Sequence, residues 1–247
     1  MKKFFTIVLS LLVLIIAGSA VYLKMATYSA TSDVSAAIKE HQTNVTVKED
    51  KLAWQVTPVD SSAKKLPAVI YYPGGLVKPD SYVPFALNLA EAGYPVYIAK
   101  MPLNLAVFKA NKADQLIDAY NLTDFVIGGH SLGGTMASRF ANTTTNIGLK
   151  GVFFLASYPD EKGELISKNL PVLSIKGSQD GVLNAENYET ARDYLPTTTQ
   201  YKVIEGGNHG QFGSYGEQEG DKQASITSEE QLTTSSDLML TWLDALK

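Results

Sequence analysis

The strongest constraint on the fold of this chain is a strand, turn and helix pattern at residues 123–140. The segment TDFVIGGHSLGGTMASRF begins with a short apolar run, bends through glycines and continues with helical spacing. Within it, glycines stand two positions either side of Ser131. Such a G-x-S-x-G turn bends tightly enough to hold a serine hydroxyl above the edge of a sheet. Ser131 is therefore the first candidate nucleophile, and because the pattern is short, its surroundings must support it.

From about residue 51 onward, short β-branched or aromatic runs alternate with longer segments of helical periodicity. This alternation is typical of βαβ units, and near-continuous apolar strands indicate a sheet covered on both faces. We therefore predict an α/β fold with a mostly parallel, doubly wound sheet. The predicted strands are 52–59, 67–72, 95–100, 124–128, 151–157, 171–176 and 200–205. The predicted helices are 82–92, 111–120, 132–141, 185–195 and 229–246.

Composition excludes several functional classes. The 247 residues have a formal net charge of -4 and are 45% hydrophobic, which fits one globular domain with a short appendage. Without a surplus of Lys and Arg to neutralise phosphates, we expect no nucleic-acid partner. The absence of cysteine rules out disulfides, thiolate zinc sites and a cysteine nucleophile. With only three histidines and no metal-binding spacing, we predict no metal.

The N-terminal region carries a membrane signal. Lys2 and Lys3 precede an uncharged, strongly apolar run at residues 4–23, about the length needed to cross a bilayer. We predict that residues 1–28 form a hydrophobic helix acting as a membrane anchor or a signal peptide. The positive-inside rule then places the rest of the chain on the extracytoplasmic side.

Whether this segment is retained is a separate question. The run is long for a secretory signal, which favours a retained single-pass anchor in the cell membrane. Small residues at 18–20 also suit a signal peptidase, so a secreted form is the alternative. Residues 29–50 are predicted to be a tether, with room for one short helix, and residues 51–247 to be the folded domain.

A serine nucleophile needs a base, and histidine is suited to this at neutral pH. His41 precedes the predicted sheet, and His130 adjoins Ser131, so its side chain should point away from the hydroxyl. His209 follows the last predicted strand and is flanked by glycines that let its loop bend over the sheet edge. His209 is therefore the predicted base.

The base needs a carboxylate that fixes its tautomer and stabilises the imidazolium. Asp180 follows the strand predicted at 171–176 and completes the order Ser131, Asp180, His209, which is that of α/β-hydrolases. Asp160, after the preceding strand, is the rival acid. Glu205 ends the last predicted strand, too near His209 in sequence to face it easily.

An oxyanion needs fixed N–H donors. The first predicted donor is the N–H of Leu132, at the start of the helix after the turn. The second is expected from the loop YPGG, where Pro73 has no N–H and the donor is therefore Gly74 or Gly75. An ordinary P-G-G turn without function is the alternative.

Two further segments lie near the predicted site. Met101, Leu103 and Leu105 belong to an apolar loop that either lines a substrate pocket or forms the core of an extra helical turn. The polar segment 213–227 either folds over the site entrance or is a solvated loop.

Six segments together resemble a known family: YYPGGLV, GYPVYIAKMPLNLAVF, GGHSLGG, LASYPD, GSQDG and EGGNHGQFGSYG. From about residue 52 to its end, the chain resembles α/β-hydrolase fold family 5, which is related to dienelactone hydrolases. The resemblance implies the α/β-hydrolase fold with an eight-stranded sheet, a triad at Ser131, Asp180 and His209, no cofactor and hydrolytic activity. Dienelactone hydrolases carry a cysteine where this chain has Ser131, and Tyr72-Pro73 replaces the usual oxyanion histidine-glycine.

These features predict a serine hydrolase that cleaves small carboxylic esters or lactones through an acyl-enzyme. An acyltransferase, a peptidase or a perhydrolase would use the same three residues. A non-catalytic binding protein on a hydrolase scaffold is the alternative from a different class.

Overall fold

A central eight-stranded sheet organises the chain in the computed structural model, which describes residues 21–246 together with Phe5, Leu12 and Gly18. The strands are β1 Val45–Glu49, β2 Ala53–Pro58, β3 Ala68–Tyr72, β4 Val96–Ala99, β5 Phe125–His130, β6 Leu149–Leu155, β7 Val172–Gly177 and β8 Gln200–Ile204. Their order across the sheet is β1-β2-β4-β3-β5-β6-β7-β8. Strands β1 and β2 pair antiparallel, as do β2 and β4, and the remaining pairs are parallel. The predicted mostly parallel sheet is confirmed.

Helices connect the parallel strands close to the predicted positions. They are α1 Asp33–His41, α2 Val83–Glu91, α3 Lys112–Tyr120, α4 Leu132–Thr143, α5 Ala185–Thr190 and α6 Ser228–Asp244. Gly93 follows α2 with a φ of 101°, a conformation that favours glycine and ends the helix. Helix α6 begins with a capping box, in which Thr227 and Glu230 satisfy each other's backbone N–H groups.

The sheet separates two hydrophobic layers because successive side chains of a strand point to opposite faces. Val69 and Tyr71 of β3 join the layer formed with α2 and α6, whereas Ile70 and Tyr72 join the layer formed with α3 and α4. Helices therefore cover both faces, as the doubly wound prediction requires. This arrangement leaves the carboxyl ends of β3 to β8 and their loops along one edge of the sheet.

The segment predicted as a tether, residues 29–50, is structured. It contains α1, whose Val34 is buried in the core, and β1, which pairs along its length with β2. Strand β1 lies at the edge of the sheet and buries only part of its surface. Its short sequence, VTVKE, is accordingly rich in polar residues. The sheet therefore begins before residue 51.

The predicted anchor at residues 4–23 lies mostly outside the described residues. Within the part of the chain that the structure does describe, no helix combines the length and apolarity needed to cross a bilayer.

Candidate functional site

Ser131 sits on a sharp turn between β5 and α4. Its φ of 51° and ψ of -126° place it in a strained conformation that non-glycine residues rarely adopt. Its N–H donates to the Leu155 carbonyl at 3.0 Å, and its own carbonyl accepts from the Ser157 hydroxyl at 2.6 Å. A Cβ on Gly129 or Gly133 would lie within about 2 Å of the Tyr72 carbonyl oxygen, so both positions require glycine. The packing of β3 thus explains the two glycines of the motif.

His209 and Asp180 form a buried pair on neighbouring loops. His209 follows β8, Asp180 follows β7, and their side chains are 1% and 4% exposed. Nδ1 of His209 lies 2.9 and 3.1 Å from the two carboxylate oxygens. Because an ionised carboxylate only accepts hydrogen bonds, Nδ1 donates to Asp180, and in the neutral ring Nε2 is then the acceptor nitrogen.

The second nitrogen of His209 is free to act as an acceptor. Nε2 is buried and has no hydrogen-bond partner among the described residues. The ring lies against His130, with ring centroids 4.6 Å apart, and His130 directly precedes Ser131. The fold therefore brings the histidine predicted as base beside the serine turn, with its accepting nitrogen unoccupied.

Asp160, the rival acid, has a different partner. Arg139 of α4 forms a two-pronged ion pair with it, in which Nε lies 3.0 and 3.1 Å from the two carboxylate oxygens. This contact raises the pKa of the Arg139 guanidinium, chiefly through the hydrogen bonds to Asp160. Asp160 therefore anchors α4 to the loop after β6, and Asp180 is the carboxylate bound to His209.

His130 belongs to a buried hydrogen-bonded network that links the turn to the loop after β3. Its Nδ1 lies 3.0 Å from the Tyr82 hydroxyl, which accepts the N–H of Gly74 at 3.0 Å. Burial, reinforced by nearby His209, holds the pKa of His130 well below its usual range, so the ring stays neutral. His130 therefore packs and hydrogen-bonds near the turn.

Replacing Tyr82 with phenylalanine should destabilise the fold. The change leaves the Gly74 N–H and His130 Nδ1 without this buried partner, at a cost of about 1–3 kcal/mol each. Urea unfolding measures the loss. The matched control is Tyr71→Phe, because the equally buried Tyr71 hydroxyl has no hydrogen-bond partner within the described chain. Equal stability losses in the two variants would contradict the assigned role of the network.

The contact with Tyr82 distinguishes Gly74 from Gly75, the two predicted oxyanion donors of the glycine loop. The Gly74 N–H is already donated to Tyr82. The N–H groups of Gly75 and Leu132 make no hydrogen bond to any residue that the structure describes. A Cβ on Gly75 would lie 3.2 Å from the Leu132 side chain, so these two residues are neighbours. Gly75 and Leu132 are thus neighbouring residues whose N–H groups are unoccupied within the described chain, and Leu132 directly follows Ser131.

The predicted pocket residues have three different environments. Met101 is buried in the core, Leu103 is exposed and Leu105 is partly buried near Gly75. A 3-10 turn spans Ala106–Phe108, whereas Leu103 and Asn104 have left-handed backbones with φ values of 53° and 54°. The alternative expectation of an extra helical turn therefore describes only the part of the loop at Ala106–Phe108.

Asp221 was missed by the sequence analysis of candidate residues. It lies in segment 213–227, and its Oδ1 accepts the Gly181 N–H at 2.9 Å, while its Oδ2 accepts the Gly210 N–H at 2.8 Å. Gly181 directly follows Asp180, and Gly210 directly follows His209. One carboxylate thus joins the loops of the acid and the base. No local pattern marks it, because its partners are 40 and 11 residues away.

Metal ligands do not cluster in the described part of the chain. No group of three or more His, Cys, Asp or Glu side chains there is arranged to hold a metal ion.

Comparisons with known proteins agree with this architecture. Residues 68–233 match the family model described as the alpha/beta hydrolase family. No curated protein sequence matches the chain. Because this family model matches more than half of the chain, the protein belongs to the α/β-hydrolase family.

Solved structures share the fold at low sequence identity. A CIB-like hydrolase from Thermoplasma acidophilum has a TM-score of 0.58 and 16% identity, covering 79% of this chain and 98% of its own. Est1E from Butyrivibrio proteoclasticus has a TM-score of 0.59 and 16% identity, covering 81% and 99%. A protein named as a lipase, lip1 from Acinetobacter baumannii, has a TM-score of 0.59 and 15% identity, covering 86% and 97%. Membership of the family supports hydrolase activity for this chain.

Proposed function

We propose that this protein is a serine hydrolase that cleaves carboxylic esters or lactones of low molecular weight. The observation that carries the proposal is the His209 side chain, which is oriented by Asp180 through Nδ1 and leaves Nε2 unoccupied next to the serine turn. A tautomer held in this way can accept a proton from the serine hydroxyl.

The reaction follows from these positions. Ser131 Oγ attacks the substrate carbonyl carbon while His209 Nε2 takes its proton, and Asp180 stabilises the resulting imidazolium. The N–H groups of Leu132 and Gly75 stabilise the negative charge on the carbonyl oxygen. The tetrahedral intermediate collapses, the alcohol leaves with the proton of His209, and an acyl group remains on Ser131. Water, deprotonated by His209, then releases the acid and restores the serine.

A fluorophosphonate probe tests the class of protein, because it reacts with an activated serine. We expect the wild-type chain to be labelled and to hydrolyse p-nitrophenyl esters, with the rate dependence on acyl length defining the pocket. Labelling combined with transfer of the acyl group to an added alcohol or amine, and without ester hydrolysis, would favour an acyltransferase. Absence of both labelling and turnover would favour a binding protein and contradict the proposal.

Asp221 gives a prediction about positioning. Asp221→Asn replaces one accepting oxygen with an amide, so the loops of Asp180 and His209 lose a shared acceptor. We expect kcat to fall about 10- to 100-fold with little change in KM, because a small misplacement of the base acts mainly in the transition state. Steady-state kinetics measure this. The control is Asp237→Asn, an exposed carboxylate on α6. An unchanged kcat for Asp221→Asn would remove the positioning role.

For localisation, we propose that residues 4–23 anchor the chain in the cell membrane with the folded domain on the extracytoplasmic side. The support is the charge-free apolar run that follows Lys2 and Lys3. Protease accessibility of the folded domain in intact spheroplasts, measured on the membrane fraction, tests both parts. Recovery of a shortened chain in the soluble extracytoplasmic fraction would instead favour a cleaved signal peptide and secretion.

A further inference from the structure

The loop between β4 and α3 presents an apolar surface to solvent. Leu103, Val107 and Phe108 are 58%, 49% and 62% exposed, although they lie within six residues of one another. Single exposed apolar side chains are ordinary on protein surfaces, but a cluster of large ones marks an interaction site. We call these three residues the apolar rim.

The apolar rim borders the candidate active site. The Leu76 N–H donates to the carbonyl of Asn104 at 2.8 Å, which ties the rim loop to the glycine loop after β3. A Cβ on Gly75 would lie 3.7 Å from Leu105 Cδ2, so the same loop also packs against Gly75. The rim and the proposed oxyanion donors therefore belong to one edge of the sheet.

The chain from the N-terminal apolar run arrives at the same edge. The Tyr28 N–H donates to the Leu76 carbonyl at 2.8 Å, and the Lys78 N–H donates to the Tyr28 carbonyl at 3.0 Å. Five Cα steps separate Tyr28 from the end of the apolar run at Leu23, which limits their separation to about 18 Å even if fully extended. A globular domain of about 200 residues is roughly 40 Å across. Leu23, at the end of the apolar run, must therefore lie near the edge of the sheet that holds the candidate site.

We propose that the apolar rim docks on the lipid bilayer and that the substrate is an amphiphilic ester whose acyl chain enters the site from that bilayer. This inference rests on the proposed hydrolase function and on retention of the apolar run. The short connection to Tyr28 identifies the bilayer as the occupant, because it holds the rim loop close to the membrane surface. Side chains such as Phe, Leu and Val gain stability in the acyl boundary of a bilayer.

Membrane contact can be measured without any enzymatic readout. The chain has no cysteine, so Phe108→Cys in the full-length protein introduces a single site for an environment-sensitive fluorophore. The protein is reconstituted in vesicles of phosphatidylcholine and phosphatidylglycerol, with and without brominated acyl chains. We expect brominated lipid to quench the label at residue 108.

The control label is placed at the opposite end of the sheet. Ile147→Cys suits this purpose, since Ile147 is 93% exposed and precedes the amino end of β6. We expect no quenching there. Three results would overturn the proposal. They are equal quenching at both positions, no quenching at residue 108, and energy transfer between labels at residue 108, which would show that a second copy occupies the rim.

The substrate class is tested by comparing two esters. The rate on a long-chain ester embedded in vesicles is divided by the rate on soluble p-nitrophenyl acetate. For the double variant Val107→Ser/Phe108→Ser, this ratio should fall about tenfold or more relative to the wild-type protein. Ile147→Ser should leave that ratio at its wild-type value. A wild-type ratio in the rim variant would contradict delivery from the bilayer. If no ester is hydrolysed and Ser131 is not labelled, the proposed function fails instead, while the quenching result still reports on docking.

Discussion

Replacing Ser131 with alanine is expected to lower kcat on p-nitrophenyl esters by about 10⁴-fold or more and to abolish fluorophosphonate labelling. The alanine removes the only hydroxyl on the turn between β5 and α4, so no acyl-enzyme can form. The strained backbone conformation is retained, because alanine and serine meet the same steric limits at a φ of 51°. The loss should therefore be chemical, with nearly unchanged stability.

A serine elsewhere on α4 provides the control for this variant. Ser138 is buried, and its hydroxyl donates to the Thr135 carbonyl at 2.8 Å, a bond confined to the helix. Ser138→Ala should keep its labelling and most of its activity. Thermal unfolding of both variants would separate folding from catalysis. Labelling that survives in Ser131→Ala would show that another residue is the nucleophile.

The second large effect is expected for Asp180→Asn. An asparagine keeps the size of the side chain but cannot stabilise the imidazolium, and its amide favours the wrong tautomer of His209. We expect kcat to fall about 10⁴-fold near neutral pH, which corresponds to about 5.5 kcal/mol of transition-state stabilisation. The measurement is kcat across a pH series, together with the rate of fluorophosphonate labelling.

Asp160→Asn is the matched control, because Asp160 is the other carboxylate on a neighbouring loop of the same sheet edge. Its contact with Arg139 is partly exposed, so its loss should cost about 1 kcal/mol of stability or less and leave most of the activity. An inactive Asp160→Asn beside an active Asp180→Asn would reverse the assignment of the acid.

Much of the fold could be predicted from the sequence because the parallel strands and their helices have strong local patterns. Strands β3 to β7 are mostly apolar and buried along their length, and helices α2, α3, α4 and α6 show helical spacing with recognisable ends. The missed strand β1 has a half-polar sequence, since it lies at the edge of the sheet. Helix α5 is shorter than predicted and continues as a 3-10 turn at Ala191–Tyr194.

The serine turn needs no long-range information for its recognition. Its glycines form a recognisable local motif, although the contact that forbids a larger side chain at Gly129 and Gly133 comes from Tyr72 of β3. The order of Ser131, Asp180 and His209 along the chain likewise indicates three loops on one edge. Their roles in catalysis stay predictions until the variants above are measured.

By itself, the sequence determined the strand and helix types, the direction of most strands and the loops where reactive side chains lie, because these depend on local periodicity and turn chemistry. Only the tertiary structure decided which groups meet. In the structure His209 contacts Asp180, and Asp160 contacts Arg139. The Gly74 N–H donates to Tyr82, and Asp221 joins the loops of Asp180 and His209. These contacts join residues 8 to 40 positions apart on different loops and elements, so they depend on strand order and packing, which no local pattern encodes.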